Sequence, residues 1–108
     1  MNERWLVPQW PAPPNVRAVC TTREGGVSQG RYESLNLGDH VGDEPAHVAA
    51  NRDRLRTAIG ARPVFLQQVH GVGVVALDAA HDAVHDGTAA DACTATATGV
   101  ACTIMVAD

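Results

Sequence analysis

The 108-residue sequence contains no lysine: its eight basic residues are all arginine, against twelve acidic ones, and the formal charge is −4. Such a balance supplies no basic stripe for general nucleic-acid binding. Arg52, Arg54 and Arg56 alternate along one expected helix instead of clustering. Arginine in place of lysine, beside abundant alanine, reads as a genomic composition bias and is given no function. No apolar run reaches the ~18 residues of a membrane span, so no membrane partner is expected. The leading residues MNERWLVPQWPAPP have neither the charged start nor the long apolar stretch of a signal peptide. Cys20, Cys93 and Cys102 form no CxxC pair and leave one thiol over. Reduced thiols and a cytoplasmic location are therefore expected.

What is present describes one small soluble domain with a modest core: 45% of the residues are apolar and 19% charged. Residues 8–15, PQWPAPPN, form a proline-rich leading segment that favours extended structure. VRAVCTT, residues 16–22, reads as a strand from its β-branched content, and a glycine-rich loop follows it. GDEPAHVAANRDRLRTAIG carries helix punctuation, with Asp43 to cap the start, Pro45 in the first turn and Gly60 to close it. Val48, Leu55 and Ile59 then share one face for burial. VFLQQVH and VGVVAL, joined by a tight glycine connection, suggest a β-hairpin. The polar stretch ALDAAHDAVHDGTAADA reads as loop around a short ordered piece. VACTIMVA has the pattern of an interior strand. It runs to Asp108 without a turn or polar tail, so residues 1–108 read as the front portion of a longer domain. Strands predominate around one helix, which gives the class α+β.

Three places carry candidate chemistry. His70, in PVFLQQVHG, follows an apolar run and precedes Gly71 and Gly73, a position from which an imidazole reaches a ligand, a metal or a proton; a hydrogen-bonded structural histidine is the alternative. Catalytic zinc takes three protein ligands and one open position, and no second histidine stands at a convincing spacing from His70. His81 and His85 are four apart, but HDAVHD lacks both helical apolar periodicity and a glutamate base, so a solvated loop is expected. His40 and His47 flank the helix start and suit surface contacts. Cys20 and Cys102 read as small buried strand residues, and Cys93 is ambiguous. In TTREGGVSQG, Gly25, Gly26 and Gly30 expose backbone amides and Arg23 offers a forked anion contact. An ordinary loop with a surface arginine is the alternative, and the lysine of a P-loop is missing.

Taken together, TTREGGVSQGRYESLNLGDHVGDEPAHVAANRDRL, FLQQVHG and TAADACTATATGVACTIMVAD resemble the YfiH-like family. Its members were described as multicopper polyphenol oxidoreductases (the laccase domain) and later as zinc-dependent purine nucleoside phosphorylases. Related members have been called peptidoglycan-editing factors. The resemblance rests on TRxGGVS, SLNLGxHVGD, QVHG and ADA in order. It implies a fold of mixed, stacked β-sheets with helices outside, of which this chain is an incomplete part.

By the same resemblance His70 is one of three zinc ligands. The second would be a cysteine directly after VAD, and the third a histidine in an HAGWRG segment; neither falls within the sequence. The implied partners are purine nucleosides and phosphate, with adenosine, inosine, guanosine and methylthioadenosine as substrates and adenosine deamination as a further activity. His70 and Arg23 are the expected catalytic residues. Arg23 would hold the anion, and Asn36 would bond a sugar or phosphate oxygen, though SLNLG equally suits a structural role. Copper-dependent phenol oxidation and a non-catalytic module are the alternatives.

Overall fold

The computed structural model describes residues 4–77 and 85–106. The stretch around His81, and the last two residues of the sequence, lie outside the described residues. The chain divides into two compact units, Met1–Ala58 and Ile59–Asp108. The described secondary structure, one α-helix with short strands, is α+β as expected.

In the first unit the main element is helix α1, Pro45–Ile59. Proline opens it where a missing N–H costs nothing, and Gly60, at φ +66°, ends it in the left-handed conformation that glycine tolerates. Val48 and Leu55 are buried as expected, and Ile59 is half-buried. The same face also buries Asn51, a polar residue that the apolar spacing passed over. Asp43 accepts from the N–H of Glu44, just ahead of the helix, so its carboxylate serves the loop before α1 rather than the helical turn itself. The expected strand over residues 16–22 is not formed: among the described residues its only ladder contact is an antiparallel bridge between Leu6 and Cys20. Prolines on both sides of Trp10 interrupt the neighbouring backbone, and a bridge of one residue pair cannot propagate.

The second unit holds β1 (Arg62–Phe65), β2 (Val74–Ala76), β3 (Ala92–Thr94) and β4 (Val100–Thr103). The expected hairpin between VFLQQVH and VGVVAL is replaced by two parallel pairs. β1 pairs with β4, Val64 opposite Cys102, and β2 pairs with β3, Val75 opposite Cys93. Parallel pairing puts the partner strand far along the chain, and no local turn signal encodes it. β3 falls in and just after the polar stretch that reads as loop, so the sequence pattern does not predict it. Val64, Leu66, Leu77 and Ala90 form the core, with Val75, Cys93, Ala95 and Val100 packed against it. Cys20 and Cys102 are exposed, not buried, and Cys93 is half-buried. β4 stops at Thr103; Ile104 and Val106 beyond it are exposed.

Candidate active site

His70 does not sit at a strand end. It lies in the exposed connection between β1 and β2, five residues after Phe65. Its φ is +57°, and among the described residues it is the one non-glycine with positive φ. For an L-residue this conformation costs about 1–2 kcal/mol, so something must hold it. That group is Asp91. One carboxylate oxygen accepts from the N–H groups of Val69 and His70 at 2.9 and 2.8 Å, and the other accepts from Gly71 at 2.6 Å. Bonding to the Gly71 amide, opposed by burial and joined by the Val69 and His70 amides and the His70 charge, holds the Asp91 carboxyl below its ordinary value.

The sheet register explains why those three amides are free for a side chain. Gln67 bridges Ala89 in parallel, and Val74 pairs with Ala92. Six residues, 68–73, therefore stand opposite only two, 90 and 91. The longer segment must bulge out of the ladder, and its amides lose backbone partners. At the base of the bulge Gly73 accepts from the N–H groups of Asp91 and Ala92 at 3.2 and 3.3 Å.

Arg23 and Asn36 belong to the first unit. Arg23 is exposed, its Nε donates to the Glu33 carbonyl at 2.7 Å, and its own carbonyl accepts from Ser34 and Leu35. The arginine thus clasps the far side of its own glycine-rich loop. Asn36 is half-buried; its Nδ2 donates to Gly38 O and Asp43 Oδ2, both at 3.1 Å, and its Oδ1 accepts from Gly38 N–H at 3.1 Å. Asp43 also accepts from Ser28 Oγ at 2.5 Å. Asn51 completes this network: its Nδ2 donates to Ser28 Oγ and Asn36 O, and its Oδ1 accepts from Val27 N–H, each at 2.8 Å. The described residues place Asn36 in one network with Ser28, Asp43 and Asn51. None of these last three, nor Asp91, was singled out for a site from sequence. A polar residue within a helix face or a short ADA run carries no spacing that reveals its partner.

Among the described residues no group of three or more His, Cys, Asp or Glu side chains is gathered to hold a metal ion. The described residues by themselves do not complete a zinc or copper site. His85 Nδ1 is in contact with the Asp86 carbonyl at 2.8 Å, in an exposed turn.

In this chain, then, short parallel strands present His70 on a bulge anchored by the Asp91 carboxylate. The chain belongs to the family described as multi-copper polyphenol oxidoreductase laccase, whose pattern matches residues 17–108. It is 53% identical over 104 residues to the purine nucleoside phosphorylase PA4543 of Pseudomonas aeruginosa, covering 96% of this chain and 41% of that protein. It is 47% identical over 105 residues to the purine nucleoside phosphorylase YfiH of Escherichia coli K12, covering 95% and 42%. Among solved structures it resembles Neisseria meningitidis protein NMB0706 with a TM-score of 0.87 and 44% identity, over 96% of this chain and 42% of that one. YlmD from Geobacillus stearothermophilus matches with a TM-score of 0.66 and 33% identity, over 82% and 37%. The chain spans about two fifths of the length of these relatives.

Proposed function

We propose that residues 1–108 are the front portion of a cytoplasmic purine nucleoside phosphorylase that uses phosphate to split adenosine, inosine, guanosine or methylthioadenosine. The observation that carries this reading is the QVHG histidine held in a left-handed turn, in a chain 53% identical to a protein named purine nucleoside phosphorylase. An exposed side chain kept in a costly backbone conformation contributes nothing to the core, so its value lies in what the imidazole reaches.

In phosphorolysis a phosphate oxygen bonds to the anomeric carbon while the bond from that carbon to the purine nitrogen breaks. The bonding pair leaves with the base, which takes up a proton, and positive charge develops on the sugar. The phosphate must be held against that charge. Arg23 is the proposed anion contact: the bond from Nε to Glu33 orients a guanidinium on an exposed residue. Asn36 Oδ1 accepts one bond, from Gly38, and a carbonyl oxygen has two lone pairs. Its proposed substrate contact is therefore as an acceptor from a sugar hydroxyl. His70 is proposed as one zinc ligand, with further donors in the portion of the family's length that these residues do not span. A bound zinc ion would supply an activated water, the chemistry that the proposed adenosine deamination needs.

A second reading, copper-dependent phenol oxidation, is favoured by the description of the matching family. The test is a paired assay of the complete protein, prepared metal-free and reloaded with zinc or copper. Phosphate-dependent release of hypoxanthine from inosine supports the first reading. Phenol oxidation without nucleoside cleavage supports the second.

A further inference from the structure

We propose that Asp91 is the positioning residue of the His70 turn: its carboxylate, at the root of β3, holds three consecutive backbone amides and thereby fixes the direction in which the imidazole is presented. The proposal rests on His70 being the functional group of the preceding section, and deepens that reading.

Three observations carry it. First, the bonds to Val69, His70 and Gly71 are all 2.9 Å or shorter and use both carboxylate oxygens. Three donors converging on one side chain define an orientation, which a single bond does not. Second, the conformation they hold is the one that His70 would not adopt unaided, at φ +57°. Third, Asp91 is itself fixed: its N–H donates to Gly73 O, and the next residue begins the pairing of β3 with β2. The carboxylate therefore transmits the rigidity of the strand pair to a bulge whose other backbone bonds, among the described residues, lie at Gln67 and Gly73. A Cβ at Gly71 would lie 3.4 Å from Asp91 Oδ2, at van der Waals contact with the carboxylate.

Asp91 need not touch a substrate to act this way. Loss of a group that orients a functional side chain lowers activity by about 10- to 100-fold in comparable cases.

The experiment uses the complete protein with Asp91→Ala, Asp91→Asn and, in parallel, His70→Ala. Amide hydrogen exchange of residues 69–71 is measured together with phosphorolysis of inosine. In Asp91→Ala the three amides should lose about tenfold or more in protection, as expected for bonds to a charged acceptor. The β1–β4 amides should exchange as in the parent protein. The turnover number should fall about 10- to 100-fold. Asp91→Asn keeps the shape and one carbonyl oxygen, so it should recover part of both properties even where the alanine variant folds poorly. Unchanged exchange at residues 69–71 would overturn the anchor. Lost protection with full turnover would overturn the positioning role. Full activity in His70→Ala would overturn the assignment of His70 in the proposed function, while the exchange data would still decide whether Asp91 holds the turn.

Discussion

The side chain of Asn51, fully buried on α1, donates to the hydroxyl of Ser28 at 2.8 Å and so ties the helix to the loop 23 residues earlier. The same amide also serves Asn36 O and the Val27 N–H, so one residue satisfies three groups from two loop segments. Buried polar groups of this kind are far more costly to orphan than to pair.

Asn51→Ala should therefore destabilise the protein by about 2–3 kcal/mol, because the Val27 amide and the Asn36 carbonyl both lose their partner. Urea unfolding of the complete protein checks this. A change within about 0.5 kcal/mol, the range of ordinary surface substitutions, would show that water replaces the amide.

Gly26→Ala should cost about 2 kcal/mol or more, the upper range for overpacking. An added Cβ would lie 2.2 Å from Ser34 O, 2.5 Å from Leu35 Cα and 2.6 Å from Asn51 Oδ1. Two of those atoms are backbone and cannot swing aside. Thermal unfolding of the variant should show a clear drop in melting temperature; a parent-like value would mean that the loop shifts freely.

Asp43 gives a pH prediction. The Ser28 hydroxyl, opposed by burial and joined by Asn36, the Glu44 N–H and His47, holds its carboxyl below the ordinary value of 3.8. A carboxyl lowered in the folded state contributes stability that is fully present above its unfolded value. That stability is lost as pH falls through the folded value. Stability of the parent protein should thus decline below about pH 4, and Asp43→Asn should flatten part of that decline. Identical acid unfolding profiles for the two proteins would contradict the assignment.

Much of α1 was legible because its signals are local: Pro45 opens it, Gly60 closes it, and Val48 and Leu55 mark its buried face. β1, β2 and β4 were legible as apolar runs, but β3 and the strand partners were not, and the run over residues 16–22 reads as a strand yet forms only a bridge. β1 and β2 are neighbours in sequence, yet each pairs in parallel with a strand more than fifteen residues away. A glycine connection suggests a hairpin whether or not one forms. His70 could be chosen from its motif, but its left-handed φ and the Asp91 clasp arise from a mismatch in strand register that no single segment contains. Asn51 was hidden for a similar reason, since a polar residue in a helix reads as surface until its partners are seen.

Arg23→Ala in the complete protein should raise the apparent constant for phosphate and leave metal content unchanged, because an anion contact lies outside any metal's ligand set. Steady-state phosphorolysis at varied phosphate checks this. An unaltered phosphate dependence would leave Arg23 as the residue that braces Glu33 in its own loop.

His70→Ala in the complete protein is the sharpest test of the proposal that the anchored histidine turn belongs to a nucleoside-splitting metal site. Bound zinc and phosphate-dependent cleavage of inosine are measured on the same preparation. A site deprived of one of three ligands loses both affinity and geometry. Most of the zinc and nearly all of the cleavage should be lost, with the fold retained. Parent-like zinc content with normal turnover would contradict it.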